Sequence, residues 1–591
     1  MVILGINAFH GDSSAALIVD GRLVAAAEEE RFRRIKHWAG FPSQAISWCL
    51  AEAETTLSDV DHVALNQNSR AHLGKKITYL LSRRPDAGLV LARLRNRRKR
   101  QGVRELLEVK ISGGKFRGAV QPVEHHIAHL SSAFHVSPFA DAVAVSVDGF
   151  GDFSSGAWGI GSGSSLAVHD RIYFPHSLGV FYQALTQYLG FPHYGDEYKV
   201  MGLAPYGQPS QLPAMRRIVH LEPGGRYALD LDFFRHHREE ISYQWDHGSP
   251  VCGDLFSPAL EELLGPRRQP SEPLTQHHKD IARSIQVMYE EAFFHLLEHL
   301  QRRGLTDIAL AGGCAANSVA NGKVRRRTKF QRVYVQSAAG DAGGAIGAAF
   351  AVWHKLGGQR GFVMDHSYWG PQFSSAQIDQ VVSARRGELD GQNCSVELIA
   401  DTNLLCQRTA RAIADGAVTG WFQGRMEWGP RALGNRSILC DPRRADMKEV
   451  LNAKIKRRES FRPFAPSILE EQVDEWFEEN DAVPFMMQVF QIREEKRPVI
   501  PAVTHVDGSG RLQTVSQAAN PLYHRLITSF RDVSGVPMLL NTSFNENEPV
   551  VCQPSEALEC FLRTRMDVLV MGNTFIQRRN EPAAGPRSGT S

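Results

Sequence analysis

Residues 2–27 read VILGINAFHGDSSAALIVDGRLVAAA. Val2 to Ile6 is an apolar run, Asn7 to Ser14 is a turn-rich loop, and Ala15 to Val19 is a second run. Asp20-Gly21, a tight-turn dipeptide, leads into Arg22 to Ala27, so the stretch predicts antiparallel strands joined by short loops. A second hairpin-like unit follows at Ala142 to Val147, the loop Asp148-Gly149-Phe150-Gly151-Asp152, and Gly156 to Ile160. Two strand-to-helix units come later. One is Ile308 to Ala311, Gly312-Gly313 and the small-residue stretch Cys314 to Asn321. The other is Val333 to Val335, a loop through Gly340-Asp341, and a helix from Gly343 to Val352.

Glycine beside a strand end or a helix N-terminus lets backbone N–H groups approach a phosphate closely. The order of these units, two hairpins and then two glycine-rich strand-to-helix turns, resembles the actin and sugar-kinase type of ATP-binding fold. No internal sequence repeat is visible. Between the units, Ile285, Tyr289, Phe293, Leu296, Leu297 and Leu300 recur at helical spacing, predicting a helix from Lys279 to Arg303 that Gly304 ends.

At 591 residues the chain is too long for one core, so two large domains are expected. The first spans 1–357. Composition shifts at 357–372, a linker is placed at 358–393, the second domain at 394–578 and a disordered tail at 579–591. The second domain opens with a helix, Asn403 to Ala414, and a strand, Ala417 to Phe422.

The net charge of +3 offers no strong pull toward nucleic acid or an anionic membrane, although Arg93 to Arg100 is a local basic run. Eight scattered cysteines without a CxxC pair argue against structural zinc and a disulfide scaffold. No signal peptide and no apolar run of transmembrane length is read, so a cytoplasmic protein without membrane or nucleic-acid partners is expected.

His125 and His129 are four apart and share one face of a helix, an arrangement that suits iron, zinc or similar ions. Asp148 and Asp341 are the carboxylates best placed to complete the set. His295 and His299 have the same spacing but flank charged residues, and read as solvated. His10 is a candidate general base. Tyr194 to Gly207 reads as a structured loop near ligand. In the second domain, three arginines sit in the Gly/Pro-rich stretch 424–437, then a helix is expected from Arg444 to Arg458, ending in Lys454, Lys456, Arg457 and Arg458. Some of these are expected as helix-end charges alone. Arginines in rigid loops match phosphate oxygens bidentately, which singles out Arg431, Arg462 and Arg511. Asn541 to Asn545 offers amides and hydroxyls for a neutral planar group.

The segments FHGDSSAALIVDG, AAEEERFRRIKH, HHIAH, VDGFGD, GDEYKVMGLAPYG, GGCAANSVAN, AAGDAGGAIGAA, GRMEWGPRALGNRSIL, NAKIKRRESFRPFAP and NTSFNENEPVV, spread over residues 1–577, resemble the antibiotic and nodulation-factor O-carbamoyltransferases. The resemblance implies an α/β protein. Its N-terminal actin/sugar-kinase-like domain is a duplicated ribonuclease-H-like ATPase, similar to the tRNA threonylcarbamoyl-transfer ATPases, and its C-terminal α/β domain is YrdC-like.

By the same resemblance, carbamoyl phosphate binds at positions matching Arg431, Lys456, Arg462, Arg511, Ser543 and Asn545, and the carbamate it yields is joined to ATP as a carbamoyl-adenylate. The nucleotide lies by Gly149, Gly151, Gly312, Gly313, Asn317 and Gly340. A divalent metal, Fe2+, is held by His125, His129, Asp148 and Asp341, with Mg2+ as an optional companion. A hydroxyl of a small-molecule acceptor is carbamoylated near His10, Asp12 and Lys36. A homodimer is allowed by this reading. One departure is the glycine between His10 and Asp12, where many relatives have the two adjacent. The rival expectation is a tRNA threonylcarbamoyl-type modification enzyme, which calls for a broad basic surface. A hydrogenase-cofactor carbamoylating relative would add CxxC pairs and an acylphosphatase domain.

Overall fold

The computed structural model describes residues 1–83, 102–244, 249–456 and 458–579. The basic run 93–100, Arg457 and the tail from 580 lie outside the described residues. Residues 2–28 form strands β1 (Val2–Asn7), β2 (Ser14–Val19) and β3 (Arg22–Glu28). With β4 (His62–Leu65) and β5 (Ala119–Pro122) they make a five-stranded sheet in the order β3-β2-β1-β4-β5, in which β1–β4 and β4–β5 are parallel and the rest antiparallel.

A second sheet repeats this order and these directions. Its strands are β6 (Asp141–Gly151), β7 (Ser154–Ser162), β8 (Ser165–Tyr173), β9 (Asp307–Ala311) and β10 (Arg332–Val335), ordered β10-β9-β6-β7-β8. The duplication expected of a ribonuclease-H-like pair is therefore present as topology. The helices that matter below are α1 (Leu73–Arg83), α2 (His125–Phe134), α3 (Glu197–Leu203), α4 (Gln276–Leu300) and α5 (Gly344–Lys355). α4 runs close to its expected bounds, and Gly304 follows it in the left-handed region at φ 82°.

The two halves meet through α2 and α5. Small residues make this possible: a Cβ on Gly5 would lie 1.9 Å from the Ala345 carbonyl oxygen, and one on Gly347 would lie 1.8 Å from that of Ala128. Backbone thus packs on backbone, and the strand β6 that carries Asp148 and the turn before α5 that carries Asp341 are drawn to the N-terminal end of α2.

The second α/β unit is built on an eight-stranded mixed sheet, from Cys394–Leu398 at one edge to Gln513–Val515 at the other. Its core includes Trp421, Ile438, Leu439, Ile468, Leu540 and Val570. Residues 375–391, read from composition as connecting chain, instead form the helices α6 (Ser375–Ala384) and α7 (Arg386–Gly391). Their Ile378, Val382 and Leu389 are buried in that same core, an apolar spacing too short to stand out from the polar background. The helix expected at 444–458 is shorter: Met447–Leu451 is α-helical, and Asn452–Lys456 widens into a π-type turn. Among the described residues, no helix is long and apolar enough to cross a membrane.

Candidate functional site

Four side chains converge where α2 meets the ends of β6 and the loop before α5. The Nε2 atoms of His125 and His129 are 3.0 Å apart, and each is 3.0 Å from Asp148 Oδ2 and 3.5 Å from Asp341 Oδ1. The helix is set by Glu124, whose carboxylate accepts from the N–H groups of His126 and Ile127. Asp152 accepts from His125 N at 3.0 Å. His126 turns away, to Ser146 Oγ at 2.9 Å, and burial pushes its imidazole down to about 4.

The donor set fits a divalent cation. Ligand atoms about 2.1 Å from an ion lie roughly 3.0 Å apart at a right angle and about 3.4 Å apart in a tetrahedron, and the observed separations fall in that range. Although burial opposes it, the imidazoles hold both the Asp148 and Asp341 carboxyls well below the usual carboxylate range. A buried and a half-buried carboxylate facing two imidazole nitrogens therefore call for positive charge between them. His129 Nδ1 is buried without a partner.

Glycines frame the space beside this cluster. Gly312 has φ 86°, and a Cβ there would come within 2.3 Å of the Val147 carbonyl oxygen. Gly313 N donates to Asp148 Oδ1 at 3.0 Å. Gly340 lies across from Gly313, with 3.9 Å between its notional Cβ and the Gly313 Cα, and a Cβ on Gly149 would meet nothing within 4 Å. Gly151 is different: its Cβ would fall 2.0 Å from the His125 ring, so it makes room for the imidazole, not for a ligand. Asn317 also departs from expectation. Its amide caps the helix Ser318–Asn321 through Ala320 N and is doubly bonded to Gln286, so it is committed to the protein interior.

His10 joins the four-donor cluster, its Nδ1 3.0 Å from Asp341 Oδ2. Asp12 does not. Its Oδ1 is 2.7 Å from His37 Nδ1, while Glu30 Oε2 accepts from His37 N at 2.9 Å. Burial disfavours the His37 cation, yet Asp12 and Glu30 raise it to about 9. Asp12, Glu30 and His37 form a second close group, and sequence reasoning missed the last two. They lie in EEERFRRIKH, whose basic residues looked exposed; in fact Arg31 is 4% exposed and donates to the Gly429 carbonyl, and Arg34 donates to those of Pro549 and Val550. Lys36, expected beside His10, instead feels Glu30, Arg462, Glu548 and Arg31, after burial, which lowers it. It stands between the two domains.

In the second domain Arg431, Arg458, Arg462 and Arg511 gather. The Nε atoms of Arg431, Arg458 and Arg511 are buried without partners. Burial and the neighbouring guanidiniums push Arg431 down to about 10, Arg458 to about 9, and Arg511 well below its ordinary value. Arg462 lies over the Tyr198 ring at 4.5 Å and is 3.4 Å from Glu459. Arg458, one of four charges expected at the end of that helix, follows the π-type turn and stacks over the Phe464 ring at 4.1 Å.

Lys456 also needs correction. Its Nζ already donates to the carbonyl of Ser543, at 2.6 Å, and to the carbonyl and Oδ1 of Asn545, at 2.8 and 2.7 Å, so it orients those residues from behind. The stretch 194–207, expected as a loop, contains helix α3, which carries Tyr198 beneath Arg462 and ties Lys199 to Glu459 at 3.3 Å. First-domain residues thus form part of the second cluster's wall.

Two family descriptions match: "Carbamoyltransferase N-terminus" over residues 2–350 and "Carbamoyltransferase C-terminus" over 410–578. An uncharacterized protein of Synechocystis, sll1178, is 39% identical, the alignment covering 98% of this chain and 97% of that one. Nodulation protein NolNO of Sinorhizobium fredii is 40% identical over 97% of this chain and 80% of its own length. Nodulation protein NolO of Bradyrhizobium diazoefficiens is 42% identical over 77% and 79%. Among solved structures, HypF of T. kodakarensis is 14% identical with a TM-score of 0.29, covering 60% of this chain and 48% of that one.

Proposed function

Because the chain belongs to the carbamoyltransferase family, we propose that it is an ATP-dependent O-carbamoyltransferase with two stations, one in each domain. The observation that carries this reading is the half-buried cluster of Arg431, Arg458, Arg462 and Arg511, in which burial and the neighbouring guanidiniums lower the affinity of Arg431, Arg458 and Arg511 for protons. Four clustered, half-buried cations match a small, multiply charged phosphoryl compound. Carbamoyl phosphate is the proposed occupant, its phosphate on the arginines and its amide toward Ser543 and Asn545, which Lys456 holds in place. There water cleaves it to carbamate and phosphate.

Carbamate then passes to the first domain beside Lys36 and attacks the α-phosphate of ATP, forming carbamoyl-adenylate and releasing pyrophosphate. The acceptor hydroxyl attacks the carbamoyl carbon and AMP leaves. Gly149, Gly313 and Gly340 leave the backbone open for the nucleotide phosphates. His125, His129, Asp148 and Asp341 would hold a divalent cation, proposed as Fe2+, which supplies positive charge beside those phosphates. His10, held by Asp341, is placed to accept the hydroxyl's proton. A closed route suits carbamate, which decomposes in water. Eight unpaired cysteines fit the reducing cytoplasm.

The test is turnover of ATP to AMP and pyrophosphate with carbamoyl phosphate and a panel of hydroxylated acceptors, products being followed by mass for the added carbamoyl group. AMP formation that requires carbamoyl phosphate is expected. ADP as the product, or carbamoylation without ATP, would overturn the adenylate route.

A further inference from the structure

Arg431 belongs to the second domain, yet the first domain holds the loop that carries it. The far side of the loop is fixed from within. Glu427 Oε1, buried, accepts from the N–H groups of Leu433, Asn435 and Arg436 at 2.8, 2.8 and 3.0 Å. The near side is fixed from outside. Two residues before Arg431, both backbone groups of Gly429 are bonded to first-domain side chains: Gly429 N donates to Glu28 Oε1 at 2.9 Å, and Gly429 O accepts from Arg31 Nη2 at 2.8 Å. Glu28 and Arg31 lie 3.5 Å apart and are both buried.

Gly429 is pressed from another direction as well. Its φ is 102°, and a Cβ there would lie 2.8 Å from the Ser337 carbonyl oxygen. Ser337 leads within four residues to Gly340 and Asp341, and Glu28 and Arg31 flank Glu30, which holds His37 N at 2.9 Å. Gly429 is thus a joint against two first-domain segments. Pro430 stands between it and Arg431, with a ring that fixes φ and limits the freedom of the link. A buried ion pair adds little stability compared with apolar residues of the same volume. Hydrogen bonds to a charged group are about twice as strong as neutral ones, so the pair is suited to fixing one peptide.

We infer that Glu28 and Arg31 are positioning residues for Arg431, acting through Gly429, so that the arginine cluster of the second domain takes its binding geometry only when the first domain is docked on this joint. The inference rests on the reading of Arg431, Arg458, Arg462 and Arg511 as the carbamoyl phosphate site.

The experiment is calorimetric titration of the full chain with inorganic phosphate, beside AMP formation measured at varied carbamoyl phosphate and at varied ATP. Glu28→Ala and Arg31→Met should each weaken phosphate binding about tenfold and raise KM for carbamoyl phosphate to match, with KM for ATP unchanged. Glu28→Gln keeps an oxygen for Gly429 N and should recover most of the loss. Gly429→Ala leaves the Glu28–Arg31 pair in place but crowds Ser337, and it should weaken phosphate binding by a similar factor even where the buried-pair variants fail to fold. A lower kcat with phosphate affinity and both KM values unchanged would mean a smaller folded fraction and would overturn the inference, as would normal phosphate binding by Gly429→Ala. A wild-type chain that binds neither phosphate nor carbamoyl phosphate would instead refute the proposed function, and this inference with it.

Discussion

Arg511 is half-buried with its Nε enclosed and unpartnered, and the charges acting on it are those of Arg431, Arg458 and Arg462. Under the proposed function such a residue serves binding, at a cost to the empty protein. Arg511→Met is expected to raise the stability of the ligand-free protein by about 1–3 kcal/mol, since replacing buried charge with well-packed apolar volume is often stabilising. The same change should weaken carbamoyl phosphate binding by about a hundredfold. Phosphate should raise the melting temperature of the wild type far more than that of the variant, because only the former binds it tightly. His37 makes the opposite kind of contribution. Its value of about 9 in the folded protein lies above the ordinary 6.5. Its stabilisation is thus complete below about pH 6.5 and is lost as pH rises through 9, on the order of 2 kcal/mol for this partly exposed pair. Melting curves of wild type and His37→Gln, taken from pH 6 to pH 10, should converge at the alkaline end. The residue scale also shows what a sequence displays. His125 and His129 were legible because spacing on one helix is local information. Glu30 and His37 were not, because only burial against the second domain distinguishes their basic neighbourhood from a solvated run.

Elements decide what the glycines mean. In sequence Gly149 and Gly151 are two of a kind. On β6 they diverge: one faces open space and the other faces the His125 ring. Gly151→Ala should therefore push His125 from its place and lower bound metal to less than about a tenth of wild type, measured by elemental analysis after purification. Gly149→Ala should keep its metal and its melting temperature but weaken ATP binding by about tenfold, as titration calorimetry would show. An Ala at position 149 that binds ATP normally would remove that glycine from the nucleotide's path. The π-type turn at Asn452–Lys456 is a second case. The spacing of Met447, Val450, Leu451 and Ile455 predicted one regular helix, and nothing local signals the wider turn on which Lys456 reaches Ser543 and Asn545. That geometry comes from the oxygens waiting on Met538–Ser543 and the loop after it.

At the scale of the molecule the two halves are not independent. The core of the first domain includes Trp428, Leu433, Ala465, Phe485, Met486 and Met487 from beyond residue 400. Arg31 and Arg34 reach second-domain carbonyls, and Lys199 pairs with Glu459. Scanning calorimetry should accordingly show one cooperative transition for the whole chain, and a fragment of residues 1–357 should be insoluble or bind a hydrophobic dye; two separate transitions would refute the shared core. The helices at 375–391 were not legible, because Ile378, Val382 and Leu389 find a core that those residues alone do not reveal.

By itself the sequence determined the strand-and-turn units, the histidine pair on one helix face, the arginine-bearing loops and the family resemblance. Each depends on neighbours within a few residues or on motif order, which the linear chain contains. Only the tertiary structure decided that Asn317 and Lys456 serve the protein's interior, that Lys36 stands between the domains, and that α3 helps enclose the arginine cluster. The physical reason is that burial and opposing charge act between residues hundreds of positions apart, and a side chain's role follows from whichever partner folding brings to it.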